Sequence, residues 1–185
     1  GNLREQFGSA LLTLNGCVPM TSSKLTSRSL FLAIAVACAL LMGYALYAQY
    51  VQGYLPCMLC MVQRVFVGLA GAFALIAALH DPRATGRRIY GVLTALAGAG
   101  GAYIAGRHVY LQQLPPEQLD GCAPSFEYAL QNYEALQFLS TIFIRDQDCG
   151  VIDWTFLGLS MPMWTFACFT VITIVALVAG FRRSV

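Results

Sequence analysis

The sequence predicts an all-α integral membrane protein, a four-transmembrane-helix bundle whose two extramembrane loops on one side include a short amphipathic helix. Three observations predict it. The chain of 185 residues is 58% hydrophobic and only 11% charged, under half the roughly 25% charge content of soluble domains. Asp, Glu, Lys, Arg and His are missing from Ser29–Gln63, Val65–Leu79, Ile89–Gly106 and Trp154–Phe181. The flanking basic residues then fall on a single side of a four-span topology. A soluble helical bundle with so many apolar stretches would have too little polar surface left. The formal net charge of +2 carries little information by itself, and no nucleic-acid partner is expected.

A membrane-spanning helix needs about 20 mostly apolar residues. The first charge-free run is long enough for one helix, at about 30–47, then a turn, then the start of a second. Pro56 marks that turn, because proline suits the first turn of a helix and not its interior. The second helix is expected over about 57–79, the third over about 89–106 and the fourth over about 162–181. The loops on one side are then about 48–56 and 107–161. Residues 24–185 form one membrane domain, and residues 1–23 an N-terminal extension. Within it, Gly1–Pro19 is expected to be a tag remnant or an over-long start ahead of Met20, and Cys17 is given no role.

Orientation follows from the basic residues, which favour the cytoplasmic side. Lys24 and Arg28 precede helix one, Arg83, Arg87 and Arg88 join helices two and three, and Arg182 and Arg183 follow helix four. Both termini are therefore expected in the cytoplasm. The long opposite loop holds Glu117, Asp120, Glu127, Glu134, Asp146, Asp148 and Asp153 against Arg107 and Arg145.

The seven cysteines divide by side. Cys38 and Cys168 lie within helices one and four and read as small buried hydrophobes. Cys57, Cys60, Cys122 and Cys149 all fall on the non-cytoplasmic side, where disulfides persist. Cys57 and Cys60 form a Cys-x-x-Cys pair at a helix N-terminus, a setting that favours thiolate. Arg64 lies one helical turn beyond Cys60, on the same face. It would stabilise the Cys60 thiolate or an anionic ligand beside it, or else snorkel to the interface. His108 ends helix three on the cysteine side. It is either a solvated or hydrogen-bonded histidine, or a ligand for a polar ring substituent bound between helices two and three. Cys122 and Cys149 read either as a structural disulfide or as half of a thiol relay. No metal site is expected, since structural zinc uses closely spaced pairs and 26 residues separate Cys122 from Cys149.

In the long loop, Pro115-Pro116 and Asp120-Gly121 signal turns, and the segment around Cys122 is expected to be mobile. Phe126, Leu130, Tyr133 and Leu139–Phe143 recur at helical spacing, which predicts an amphipathic helix within 124–143. Trp154, Phe156 and Trp164 suit an aromatic belt at the membrane interface. The AGAGGA run, Ala97–Ala102, reads as a close helix-packing surface and not as a nucleotide loop.

The ordered set PCMLC with Arg64, RHVYLQQLPP, Cys122, Asp148-Cys149 and WTFLGLSMPMW resembles the DsbB family, quinone-dependent disulfide bond formation proteins of bacterial inner membranes. The resemblance covers roughly Thr26 to Phe181. It implies a four-helix bundle with two periplasmic loops. It also implies that DsbA, a soluble thioredoxin-fold oxidase, is reoxidised through the loop pair. Cys122 would form the mixed disulfide with DsbA, Cys149 would pair transiently with Cys57, and Cys60 would pass electrons to ubiquinone, with menaquinone as the alternative. Arg64 and His108 match family residues beside the quinone. The extension with Cys17 departs from the family pattern. Three alternatives stay open or are weighed against this reading. One is a specialised paralogue serving one dedicated oxidase, and another is a structural or metal-binding membrane protein. The third, the vitamin K epoxide reductase architecture, is disfavoured because its Cys-x-x-Cys follows its loop cysteines.

Overall fold

A computed structural model describes residues 26–119, 126–134, 136, 137, 140, 147–150, 152 and 154–182. Its long elements are four helices: α1, Ser27–Tyr50; α2, Met58–His80; α3, Ala84–Leu111; and, after the long connection, α6, Met161–Phe181. Each is long and apolar enough to cross a membrane. Between α3 and α6 the described residues hold a 3-10 turn at Pro116–Gln118, the short helices α4 at Phe126–Asn132 and α5 at Gln147–Gly150, further helical residues at 136, 137 and 140, and a hairpin of β1, Thr155–Phe156, with β2, Leu159–Ser160. Cys122 and most of residues 138–146 lie outside the described residues, as does the whole of residues 1–25.

Helices α2 and α3 run longer than the charge-free gaps within them. α3 starts at Ala84 and ends at Leu111, because Arg87, Arg88 and Arg107 are accommodated at its ends and do not terminate it. His108 lies in the last turn of α3, as expected, although that turn falls later than residue 106. Pro56 precedes the N-cap residue Cys57, two positions before the first helical residue. Pro162 lies in the first turn of α6, where its missing N–H costs nothing.

The bundle closes as a ring. α3 packs along α6, α1 along α2, and α2 along α3, while a smaller α1–α6 contact completes it. Small residues set these distances. A Cβ added at Gly91 would lie 2.7 Å from the Cα of Gly180, backbone against backbone. Two to three turns further on, Gly98 receives Thr173, Gly101 receives the ring of Phe169, and Gly100 receives Phe66 of α2. The AGAGGA run thus serves two neighbours at once, through two faces of α3. Cys38 is buried against Gly71, while Cys168 is only partly covered.

The loop elements sit over one end of this ring. α4 buries Ala129 and packs Phe126 and Tyr133 against Leu111, Met58, Leu59 and Cys149. Leu130, part of the expected apolar stripe, is instead exposed, so the buried face is the 126–129–133 line. The hairpin turns at Leu157 and Gly158, both with positive φ (53° and 78°), the combination that a type I′ turn requires. It stacks Phe156 on Trp154, brings Phe156 against Trp164, and takes a 3.1 Å hydrogen bond from Trp164 Nε1 to the Phe156 carbonyl. The three aromatics therefore form one ladder that continues to Tyr44 of α1.

Gly91→Ala should lower stability in detergent by about 1–3 kcal/mol, since the added methyl meets backbone that has no rotamer to yield. Gly43→Ala, where nothing lies within 4 Å, should leave the thermal midpoint unchanged or raise it. Equal midpoints for the two variants would contradict this account of the α3–α6 contact.

Candidate functional site

The site is built at the start of α2. Cys57 is the N-cap residue, with extended backbone (φ −70°, ψ 171°), and its carbonyl accepts from the Met61 N–H at 3.2 Å. Cys60, three residues on, shares its face of the helix. The two Sγ atoms are 3.2 Å apart, so Cys57 and Cys60 are adjacent thiols. Helix α3 supplies His108, which is 3% exposed. Its Nε2 lies 3.8 Å from Cys57 Sγ and its Nδ1 4.0 Å from Cys60 Sγ. From the long loop, α5 delivers Cys149, fully buried in the same cluster as Met58 and Leu59, and its side chain hydrogen-bonds Cys57.

That surrounding pushes the Cys57 thiol well below the usual thiol range. The largest cause is the hydrogen bond with Cys149, followed by the one with Cys60. Burial opposes them, and His108 adds to them. The N-cap position places the thiol at the positive end of the helix dipole, without a side-chain cap hydrogen bond.

A cavity of about 160 Å³ opens beside the dithiol. It runs between α1, α2 and α6, walled by Leu41, Met42, Val67, Pro162 and Phe169, with Cys57, Cys60, Gln63, Arg64 and His108 among its lining. A dry cavity of roughly 150 Å³ accepts a benzene ring in another protein, so a single six-membered ring fits this one by volume. The lining is mostly apolar with a few convergent polar groups, the usual make-up of a small-molecule site.

Arg64 lines this cavity, yet its guanidinium turns toward α1. Nη1 donates to Gln49 Oε1, and Nη2 donates to the Ala45 carbonyl at 3.0 Å. It therefore ties the end of α1 to α2 while placing a positive charge in the cavity wall. Two residues that the sequence reading did not single out complete the polar lining. Gln63, 5% exposed, has its Nε2 3.3 Å from His108 Nδ1, and its Oε1 lies 2.9 Å from Thr165 Oγ1 of α6. A lone amide within an apolar run was the available signal for Gln63, but its partners sit 45 and 102 residues away.

Of the residues singled out in the sequence, the structure thus brings together Cys57, Cys60, Cys149, Arg64 and His108, while Cys122 lies outside the described residues. Ligand atoms of Cys57, Cys60 and His108 fall within 4.8 Å of one another and are of the types that hold zinc. The two sulfurs are nevertheless closer than the roughly 3.8 Å that tetrahedral zinc with about 2.3 Å bonds would span. Their spacing suits thiol–disulfide exchange better.

Four apolar helices, a dithiol at one helix start and a further cysteine docked onto it from a loop define a multi-pass membrane protein of thiol–disulfide chemistry. Residues 27–179 match the family model described as disulfide bond formation protein DsbB, and the chain belongs to that family. It is 42% identical over 159 residues to a disulfide bond formation protein B of Hahella chejuensis, covering 86% of this chain and 96% of that protein. It is 40% identical over 166 residues to the protein of the same name from Saccharophagus degradans, covering 89% of this chain and all of that one. A third relative of that name, from an Azoarcus species, is 42% identical over 158 residues, covering 85% of this chain and 95% of its own length. The chain is accordingly a disulfide-forming oxidoreductase of the membrane.

The depressed Cys57 thiol has a direct consequence. An ordinary thiol, with pKa about 8.5, alkylates roughly tenfold more slowly for each pH unit below that value. In the fully reduced protein the lowered Cys57 thiol should begin to lose alkylation rate at a lower pH than an ordinary thiol does, as resolved by peptide mass spectrometry. A fall that begins at the ordinary thiol's pH would show that Cys149 and His108 do not stabilise the thiolate.

Proposed function

We propose that this protein sits in a bacterial inner membrane, reoxidises a DsbA-like periplasmic dithiol oxidase and delivers the electrons to membrane quinone. The observation that carries this reading is the double exposure of the Cys57–Cys60 pair: Cys149 from the loop contacts Cys57 on one side, and an apolar cavity of ring size opens beside the pair on the other. In the overall reaction the partner's dithiol becomes a disulfide, and the quinone accepts two electrons and two protons.

The chain's own residues would act in order. The partner thiolate attacks the Cys122–Cys149 disulfide at Cys122, forming a mixed disulfide and releasing Cys149 as thiolate. The partner's second thiol resolves that bond, leaving oxidised partner and reduced Cys122. Cys149 attacks Cys57 of the Cys57–Cys60 disulfide, which breaks that bond and releases Cys60 as thiolate at the cavity wall. Cys122 then attacks Cys149 of the new Cys57–Cys149 disulfide, which restores the loop pair and releases Cys57, and the Cys57–Cys60 dithiol would re-form its disulfide by giving two electrons and two protons to the quinone. Arg64 offers positive charge to an acceptor that gains electrons, and buried His108 offers a ring nitrogen to the same space. Basic residues support the orientation: Arg87 donates to the Arg182 carbonyl at the bundle end opposite the cysteines, which would be cytoplasmic under the positive-inside rule.

Purified protein in detergent, given reduced DsbA and ubiquinone, should bleach the quinone absorbance, and Cys60→Ser should reduce turnover to background. Cys122→Ser should lose turnover with DsbA and keep it with dithiothreitol, which reduces the helix pair directly. Full turnover with DsbA in Cys122→Ser would overturn the relay order. Arg64→Ala should raise the quinone KM about tenfold or more, the scale of a lost charge-assisted hydrogen bond. An unchanged KM would confine Arg64 to tying α1 and α2 together.

A further inference from the structure

The two ring nitrogens of His108 face different sulfurs. Nε2 is on the Cys57 side at 3.8 Å and Nδ1 on the Cys60 side at 4.0 Å. A neutral imidazole carries one proton, on one nitrogen. Whichever nitrogen holds it decides which cysteine is offered a hydrogen-bond donor. His108 is buried, so water does not settle the choice. Its ring contacts decide it.

The contact that decides is with Gln63. Thr165 Oγ1 is 2.9 Å from Gln63 Oε1. A hydroxyl that donates to this oxygen fixes the amide with its NH2 toward His108. Gln63 Nε2 then donates to His108 Nδ1 across 3.3 Å, Nδ1 must be the acceptor, and the ring proton is left on Nε2, facing Cys57. The chain Thr165, Gln63, His108, Cys57 runs donor to acceptor without a break from α6 through α2 to α3 and back to α2. The competing arrangement is explicit. Thr165 Oγ1 also lies 2.9 Å from the Pro162 carbonyl. Donation there would let the amide turn round, so that its oxygen accepts from Nδ1–H and Nε2 presents a lone pair to Cys57.

We propose that Gln63, oriented by Thr165, is a positioning residue that locks His108 in the Nε2–H tautomer and so directs the imidazole's donor to Cys57 and away from Cys60. In thiol exchange this separates the two sulfurs chemically. Cys57 sulfur bonds in turn to Cys149 and to Cys60, and each time it is released as thiolate an N–H meets it. Cys60, offered only the occupied acceptor face of the ring, is left as the electron-rich sulfur toward the cavity. The consequence for electron transfer rests on the quinone reading above, whereas the tautomer itself does not.

The sequence makes the test tractable, because it contains only two histidines, His80 and His108. The full-length reduced protein would be labelled with 15N-histidine, purified in micelles without quinone or donor protein, and examined by two-bond 15N–1H correlation at a pH where the rings are neutral. A His80→Gln sample assigns the resonances. His108 should show a protonated Nε2 and an unprotonated Nδ1. Gln63→Glu, whose carboxylate can only accept, should reverse that pattern, and Thr165→Val, which frees the amide, should give a mixture of the two. A His108 proton on Nδ1 in the parent protein, or a pattern unmoved in both variants with folding verified by circular dichroism and gel filtration, would overturn the proposal. Since neither quinone nor DsbA is present, failure of the electron-transfer reading would leave this result standing, and the reverse also holds.

Discussion

The contact between Cys57 and Cys149 is the interaction on which the rest of the site depends. Cys57 is the N-cap residue of α2, where a sulfur lies at the positive end of the helix dipole and can still be reached from outside the helix. One turn inward, Cys60 is carried by the helix geometry onto the cavity wall. The three-residue spacing therefore does physical work: it puts one sulfur at the loop and the other at the apolar space, while keeping them 3.2 Å apart. A loop cysteine that docks at Cys57 can exchange with it without entering the bundle.

Polar groups placed this deep must find partners within the protein, because the bilayer offers none. Each of them does. Arg64 is taken up by Gln49 and the Ala45 carbonyl, Gln63 by Thr165 and His108, and Ser160 by Gln112 at 2.7 Å. These bonds cross between helices, and so they also fix how the helices meet at the cysteine end. Along α3, glycines let Phe169, Phe66 and the Gly180 backbone approach closely, and Phe169 extends this packing to the cavity wall. Hydrogen bonds around the cavity and close packing along α3 thus hold the ring together.

The four helices were legible in the sequence because lipid excludes charge, and gaps between charged residues trace the spans directly. Their ends were not, since Arg87, Arg88 and Arg107 tolerate helical backbone and reach water from within α3. The Cys-x-x-Cys pair, Arg64 and His108 could be picked out as chemistry-bearing residues in an apolar chain. Gln63 and Thr165 could not, because their meaning comes from a contact between residues 102 positions apart. The hairpin was missed for a local reason: its turn places Leu157 at φ 53°, where asparagine, aspartate or glycine would have signalled the turn. In the loop, the helical period was read correctly at Phe126 and Tyr133, but the face was shifted by Leu130, which turns outward while the small Ala129 is buried.

The most direct test of the central contact is to trap it. In a Cys60→Ala, Cys122→Ala protein, mild oxidation should join Cys57 to Cys149, because each has lost its other expected partner and the two already touch. Peptide mapping should then recover the Cys57–Cys149 disulfide as the main product in intact, folded protein. If both cysteines instead remained open to alkylation after oxidation, Cys149 would not reach Cys57, and the path from loop to membrane dithiol described here would be wrong.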